Sequence, residues 1–260
     1  MNRYIATVAA LGFGLAASAA SALPVVYSTG VDKFGVALAA DAVDTHYVFS
    51  VVSGTAVGSG PGNNRGVVEK DVSAEQYQWT RNLESNWNSG GVSSRWLVPA
   101  AHPAGTYPTY DQSTPGLYDW TTTFNLNSSS LSKAKLIGKA GADNSLRVFL
   151  NGNLIAQSPL DSAGNNTYSF QDVLATYFTV TSTSSVGTSG LSGTSTSTSP
   201  HGLVAGVNTL TFEVTNSVGT GNPTGLRTYL TLVPEPATWA SMACGLLLLS
   251  LTARRRATQI

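Results

Sequence analysis

The chain has 260 residues, which is enough for one domain of ordinary size together with terminal segments. Hydrophobic residues make up 42% and charged residues only 11%, a composition that argues against global disorder. The 14 Lys and Arg residues balance 14 Asp and Glu residues, and without a basic excess the chain is a poor candidate for binding nucleic acid. Cys244 is the one cysteine, which excludes a disulfide scaffold, a cysteine zinc site and a CxxC redox motif.

The N-terminal segment, residues 1–22, has the pattern of a secretory signal peptide. Arg3 supplies the positive charge, and an apolar stretch follows it. Ala20 and Ala22 flank a serine in the small-x-small pattern that signal peptidase requires, with a second such site at residues 17–19. We expect export by the Sec machinery and cleavage after Ala22.

The C-terminal segment has the composition of a membrane anchor. An uncharged run of 17 residues, 237–253, would span about 25 Å as a helix, just enough to cross a thin bilayer core. Trp239 marks its outer interface and the arginine run 254–256 its cytoplasmic side, so the main domain lies outside the cytoplasm. Pro234 and Pro236 precede the run, and because proline breaks a continuing helix they predict an exposed, flexible entrance that an enzyme can reach.

The order of these three C-terminal parts resembles the PEP-CTERM sorting signal of Gram-negative bacteria. The residues that carry the resemblance are Val233, Pro234, Glu235, Pro236, Arg254, Arg255 and Arg256. The resemblance implies an intermediate anchored in the inner membrane and facing the periplasm. It also implies removal of the tail by exosortase, a membrane-embedded transpeptidase-like enzyme, with transfer to the cell surface or extracellular matrix. In that family the nucleophilic cysteine belongs to exosortase, which implies that Cys244 is an apolar filler of the helix. An ordinary tail anchor is the alternative to the sorting signal.

Between the two ends, residues 23–232 consist of short alternating runs separated by Gly, Pro, Asn and Ser clusters. The strands predicted from these runs are 46–52, 120–126, 146–150, 153–156, 210–214 and 226–232. Asn151-Gly152 predicts a tight hairpin because both turn residues of a type I′ turn need positive φ. The pattern predicts an all-β domain, a jelly-roll-like β-sandwich.

Ser and Thr fill 14 of the 19 positions in residues 181–199. The stretch has few apolar residues and no periodicity, so we expect a flexible, solvated loop insertion. Glycosylation of this loop remains an alternative.

Short motifs scattered over about 200 residues resemble the globular domain of many exported PEP-CTERM proteins. They are Gly30-Val31-Asp32, Ala42-Val43-Asp44, His46-Tyr47, Ser94-Arg95-Trp96, Asp143-Asn144, Leu150-Asn151-Gly152, Gly206 to Leu210 with Phe212, Val214 and Asn216, and Gly225-Leu226-Arg227. The resemblance implies a fold similar to galactose-binding-like β-sandwiches, and it does not by itself imply sugar binding.

The sequence favours a protein that is not an enzyme and uses no cofactor. The three histidines, His46, His102 and His201, lie in no HExxH, GxSxG or P-loop context. A paired-carboxylate glycoside hydrolase stays open as an alternative, for example through Glu84 and Asp119.

Binding to carbohydrate has better support than catalysis. Seven Trp and Tyr residues fall between residues 79 and 120, and exposed rings of this kind stack on sugars. Trp87, Tyr107 and Tyr110, with Asp111, are the predicted glycan-binding residues, whereas Trp96 and Trp120 flank strand patterns and are predicted to lie in the core.

Asp143-Asn144 comes directly before a predicted strand. We expect these two residues to fix a turn by side-chain hydrogen bonds, with calcium binding as the alternative.

Three functions therefore compete: a non-enzymatic exopolysaccharide or biofilm matrix protein, a carbohydrate-binding module and a secreted hydrolase. The charge pattern fits an exported domain. Outside the two targeting segments, residues 23–236 hold 10 cations and 14 acids, a net charge of 10 − 14 = −4.

Overall fold

A computed structural model of the chain describes residues 24–55, 64–68, 94–99, 114–159, 175–189, 194–217 and 224–234. Strands dominate these ranges, and the helix is a single turn, α1 (Ser128–Leu131), capped by the Asn127 side chain. The strands are β1 (Val43–Ser53), β2 (Arg65–Val68), β3 (Leu97–Val98), β4 (Gly116–Leu126), β5 (Ala134–Asp143), β6 (Ser145–Leu150), β7 (Asn153–Gln157), β8 (Thr176–Val180), β9 (Ser185–Ser189), β10 (Thr194–Ser199), β11 (Gly206–Asn216) and β12 (Gly225–Pro234). In the part of the chain so described, no helix reaches the length and apolar character needed to cross a bilayer.

All twelve strands belong to one antiparallel sheet, in the order β10-β9-β8-β5-β12-β3-β2-β1-β4-β11-β6-β7. Its two ends lie against each other, since the Ser197 hydroxyl of β10 donates to the Ile155 carbonyl of β7 over 2.6 Å. The predicted all-β class is confirmed. The strands form one continuous sheet that is nearly closed into a barrel, whereas the predicted sandwich would have two separate sheets.

The core lies between the two halves of this folded sheet. Phe178 on β8 and Phe212 on β11 come from opposite halves, and their ring centroids are 6.4 Å apart. Tyr47 on β1 is fully buried, and its hydroxyl lies 2.7 Å from the Thr228 hydroxyl on β12. Both contacts cross the interior, so each half of the sheet covers the apolar face of the other.

The strands predicted from alternation and the hairpin predicted at Asn151-Gly152 are both confirmed. Every strand predicted from alternation lies within an observed strand or overlaps one closely, and Asn151 and Gly152 have the positive φ values, 50° and 81°, that the hairpin between β6 and β7 requires. The last strand runs two residues farther than predicted, through Val233 to Pro234.

The prediction of a loop over residues 181–199 needs correction. Residues 185–189 and 194–199 form β9 and β10, which pair with each other, and β9 also pairs with β8. Gly187 of β9 packs so closely on Ala156 of β7 that a Cβ at this position would lie 2.8 Å from the Ala156 Cα atom. Small side chains therefore suit this stretch because they let the two ends of the sheet approach each other.

Candidate functional site

Most of the predicted site residues lie outside the described residues. They are Ala20, Ala22, Trp87, Tyr107, Tyr110, Asp111, Glu235, Pro236, Arg254, Arg255 and Arg256. Val233 and Pro234 are described, and they form the end of β12.

Three rings of the aromatic-rich region between residues 79 and 120 are described, and all three are core residues. Trp96 and Trp120 are buried, which confirms their predicted place in the core. Tyr118 is also buried, and its hydroxyl donates to the carbonyls of Thr114 and Thr55 at 2.6 and 3.1 Å. These three rings are therefore not sugar platforms.

Asp44 is a buried carboxylate that fixes the entry to β1. Its Oδ2 accepts a hydrogen bond from the Gly30 N–H at 2.7 Å, and its Oδ1 accepts one from the His46 N–H at 2.7 Å. Burial raises the pKa of this carboxyl, although the two backbone N–H groups act in the opposite direction. The Asp44 side chain thus ties two of the scattered motifs together.

His46 packs beside the same carboxylate. Its Nδ1 lies 3.4 Å from Asp44 Oδ1, and its ring stacks on Tyr27 with centroids 3.7 Å apart. The side chain is 16% exposed. The contacts are those of a packed histidine.

The motifs around Ser94 and Arg227 meet at the start of β12. The buried Arg227 side chain donates to the Ser94 hydroxyl at 2.9 Å and to the Ser94 carbonyl at 2.6 Å. Thr29 accepts from the Arg95 N–H through its carbonyl at 2.9 Å and from the Thr228 N–H through its hydroxyl at 2.9 Å. Residues up to 199 positions apart in the chain therefore form one hydrogen-bonded region with a structural role.

Asp143 and Asn144 fix the corner between β5 and β6, as predicted. The Asn144 side chain accepts from the Ser217 N–H and hydroxyl at 2.7 and 2.8 Å and donates to Asp143 Oδ1 at 2.5 Å. Across the described ranges, no group of three or more His, Cys, Asp or Glu side chains is placed to hold a metal ion.

A charged cluster lies on the outward face of β4, β11 and β6. Asp119 and Arg147 are the cross-strand neighbours of Glu213, and the Arg147 Nε donates to Glu213 Oε1 at 2.7 Å. The Phe149 ring lies beside Arg147, with 5.7 Å between the ring centroid and the guanidinium carbon. We call Asp119, Glu213 and Arg147 the outer-face cluster.

Asp119 is the unusual member of the outer-face cluster. Burial and the nearby Glu213 carboxylate raise its pKa to about 6, while Arg147 acts in the opposite direction. Its Oδ1 atom is buried, and no hydrogen-bond donor among the described residues reaches it.

The sequence suggests Glu84 as a partner for Asp119, and Glu84 lies outside the described residues. The observed neighbours, Glu213 and Arg147, are not indicated by spacing along the chain. Alternation did place Glu213 on the face opposite Phe212, but spacing along the chain carries no record of which strands are neighbours.

The described end of the domain coincides with the start of the Val-Pro-Glu-Pro motif. Val233 pairs with Lys135 and Pro234 pairs with Ala134, both in the ladder between β12 and β5. The sequence predicts an exposed, flexible segment here. For Val233 and Pro234 that prediction is wrong, because both residues pair with β5 in the sheet.

No protein-family model matches the chain, and the search of curated proteins found no significant match to its sequence.

Proposed function

We propose that the chain is an exported, exosortase-processed, non-enzymatic protein of the surface or exopolysaccharide matrix of a Gram-negative bacterium. The observation that carries the proposal is the order of parts at its C-terminus. β12 is described through Pro234, two residues lie between it and the apolar run that begins at Ala237, and three arginines follow that run in the sequence. This order suits a folded domain held at the outer surface of the inner membrane until its tail is cut.

The fold supports a passive extracellular domain. One half of the sheet, β1-β4-β11-β6-β7, and the other, β8-β5-β12-β3, enclose a common core through contacts such as that of Phe178 with Phe212. We take this arrangement as a variant of the jelly-roll-like, galactose-binding-like sandwich that the motifs resemble. The net charge of −4 on residues 23–236 keeps such a domain off nucleic acid.

The sorting proposal is tested by intact-mass measurement of the protein from a host with exosortase and from the same host lacking it. We expect the first host to give a chain cut at both ends, and the second to give a chain that keeps its C-terminal tail. Replacement of Glu235 and Pro236 by alanine in the first host is a second test, because it alters the motif and leaves the residues of β12 unchanged. This variant should also keep its tail. An intact tail in both hosts would refute the proposal.

Carbohydrate binding is the second candidate function, and the outer-face cluster favours it. Two carboxylates and a guanidinium are groups that hydrogen-bond to sugar hydroxyls, and Phe149 offers an apolar surface beside them. Glycan-array binding should be weakened about tenfold by Asp119→Ala and left unchanged by Thr123→Ala, an exposed residue farther along the same face of β4. Equal binding by both variants would remove this cluster as the site.

A glycoside hydrolase is the weaker alternative. Arg147 already binds Glu213, which leaves that carboxylate poorly suited to serve as nucleophile or base beside Asp119.

A further inference from the structure

We propose that the last two residue pairs between β12 and β5 control the processing of the C-terminal tail. Val233 and Pro234 belong both to the sorting motif and to the sheet, so they have to separate from β5 before a membrane enzyme can bind them. This inference rests on the proposed exosortase processing and adds to it a step that depends on the folded domain.

The pairing of β12 with β5 is unbroken to the end of the strand. Ten consecutive pairs run from Gly225 with Asp143 to Pro234 with Ala134. Ala134 is fully buried and Val233 is half-buried, so the end of the ladder is packed as well as hydrogen-bonded. In the folded domain the first half of the motif is therefore covered on its β5 side.

The short distance along the chain is a second reason why Val233 and Pro234 have to separate from β5. Ala237 lies three residues after Pro234, which is about 10 Å of fully extended chain. An enzyme embedded in the membrane that binds the motif in extended form has to admit the residues just before Glu235. While Val233 and Pro234 stay paired, the folded sheet lies at that position.

The last two pairs are built to open without unfolding the rest of β12. Pro234 has no N–H and contributes no donor to the ladder. Other contacts of β12 in the described part of the chain lie earlier in the strand. β3 pairs with it at Leu226, and the N–H groups of Thr228 and Leu230 donate to the hydroxyls of Thr29 and Ser28. Fraying of Val233 and Pro234 therefore leaves those contacts intact.

Cross-strand disulfides test this directly in the full-length chain, with Cys244→Ala throughout to remove the natural thiol. The pair Val233→Cys with Lys135→Cys joins register partners at the end of the ladder. The matched control, Tyr229→Cys with Lys139→Cys, joins register partners of the same strands four residues earlier and leaves the end free. Val233→Cys alone controls for the change within the motif.

The measurement is the rate of tail removal in an exosortase-containing host, followed by intact mass. We expect the end disulfide to slow processing at least tenfold relative to both controls, and a reducing agent to restore the rate. Equal rates for the two disulfides would overturn the proposal, as would loss of processing in both, because the second result would require opening beyond the last two pairs. If the unmodified chain itself is not processed, it is the proposed function that fails.

A second variant does not depend on disulfide formation. Six Gly and Ser residues inserted between Leu232 and Val233 move the whole motif off the sheet, and the entropic cost of such an insertion is small. We expect faster tail removal than in the unmodified chain, whereas the same six residues inserted after Gly152, in the β6–β7 turn, should leave the rate unchanged. A rate that the first insertion does not raise would contradict control by β12.

Discussion

Single buried polar residues of this domain act as fixed anchors for backbone. Asp44 binds the N–H groups of Gly30 and His46, and Asn144 binds the N–H of Ser217. Each of these side chains satisfies a donor that the ladder does not use, and an unsatisfied donor would cost about 1–3 kcal/mol if it were buried. The residues of these scattered motifs therefore have structural roles in the fold.

Asp119 departs from this pattern, because it lowers stability when it is charged. Its pKa is about 6 in the folded protein and 3.8 in an ordinary environment, so the folded state binds its proton more tightly. Its favourable contribution to folding is complete below about pH 4 and is lost as the pH rises through 6. The side chain is partly exposed, and after allowance for solvent screening the effect is on the order of 1 kcal/mol.

We therefore expect Asp119→Asn to remove a fall of about 1 kcal/mol in the free energy of unfolding between pH 4 and pH 7. Urea unfolding at several pH values measures this difference. Thr123→Val, at an exposed position on the same face of β4, should keep the wild-type pH dependence. Identical pH dependence in Asp119→Asn and the wild type would show that the carboxyl is not perturbed in the folded state.

At the scale of elements, strands whose side chains alternate clearly could be predicted, and strands built from small residues could not. β4 and β11 place large apolar residues on one face and polar residues on the other, so alternation alone indicates them. β5 was missed because Gly138, Ala140 and Ala142 do not read as a strand. The reason for a small residue lies in another strand, since the Phe178 ring of β8 occupies the space over Gly138.

The same limit explains the Ser/Thr-rich stretch. Composition suggested a solvated loop, yet β9 and β10 complete the sheet because β8 offers β9 a free edge and β7 lies close to both. Of the candidate sites, the end of β12 was indicated by its motif, but its pairing with β5 depends on the distant residues Ala134 and Lys135. Glu213 and Arg147 likewise reach Asp119 only through strand order.

At the scale of the whole molecule, the N-terminal segment and the last strand are held together. Ser28 and Thr29 bond to Leu230 and Thr228, about 200 residues later in the chain. If the chain is processed at both ends as we propose, the remaining domain would keep Ser28, Thr29, Thr228 and Leu230, and so both new ends would stay attached to the same sheet.

We expect the closure of the sheet to make its two halves one cooperative unit, and Phe212 is the residue that tests this. Its ring contacts Phe178 of the opposite half and is fully buried, so Phe212→Ala should cost about 3–5 kcal/mol of unfolding free energy. Phe149 is the matched control, since it is the same residue type on the neighbouring strand but on the outward, half-buried face, and its loss should cost about 1 kcal/mol. Tryptophan fluorescence and far-UV circular dichroism should report one coincident transition in both variants, because Trp96 and Trp120 lie in the common core. Two separate transitions in Phe212→Ala would mean that the halves fold independently and that the contacts across the interior do not couple them.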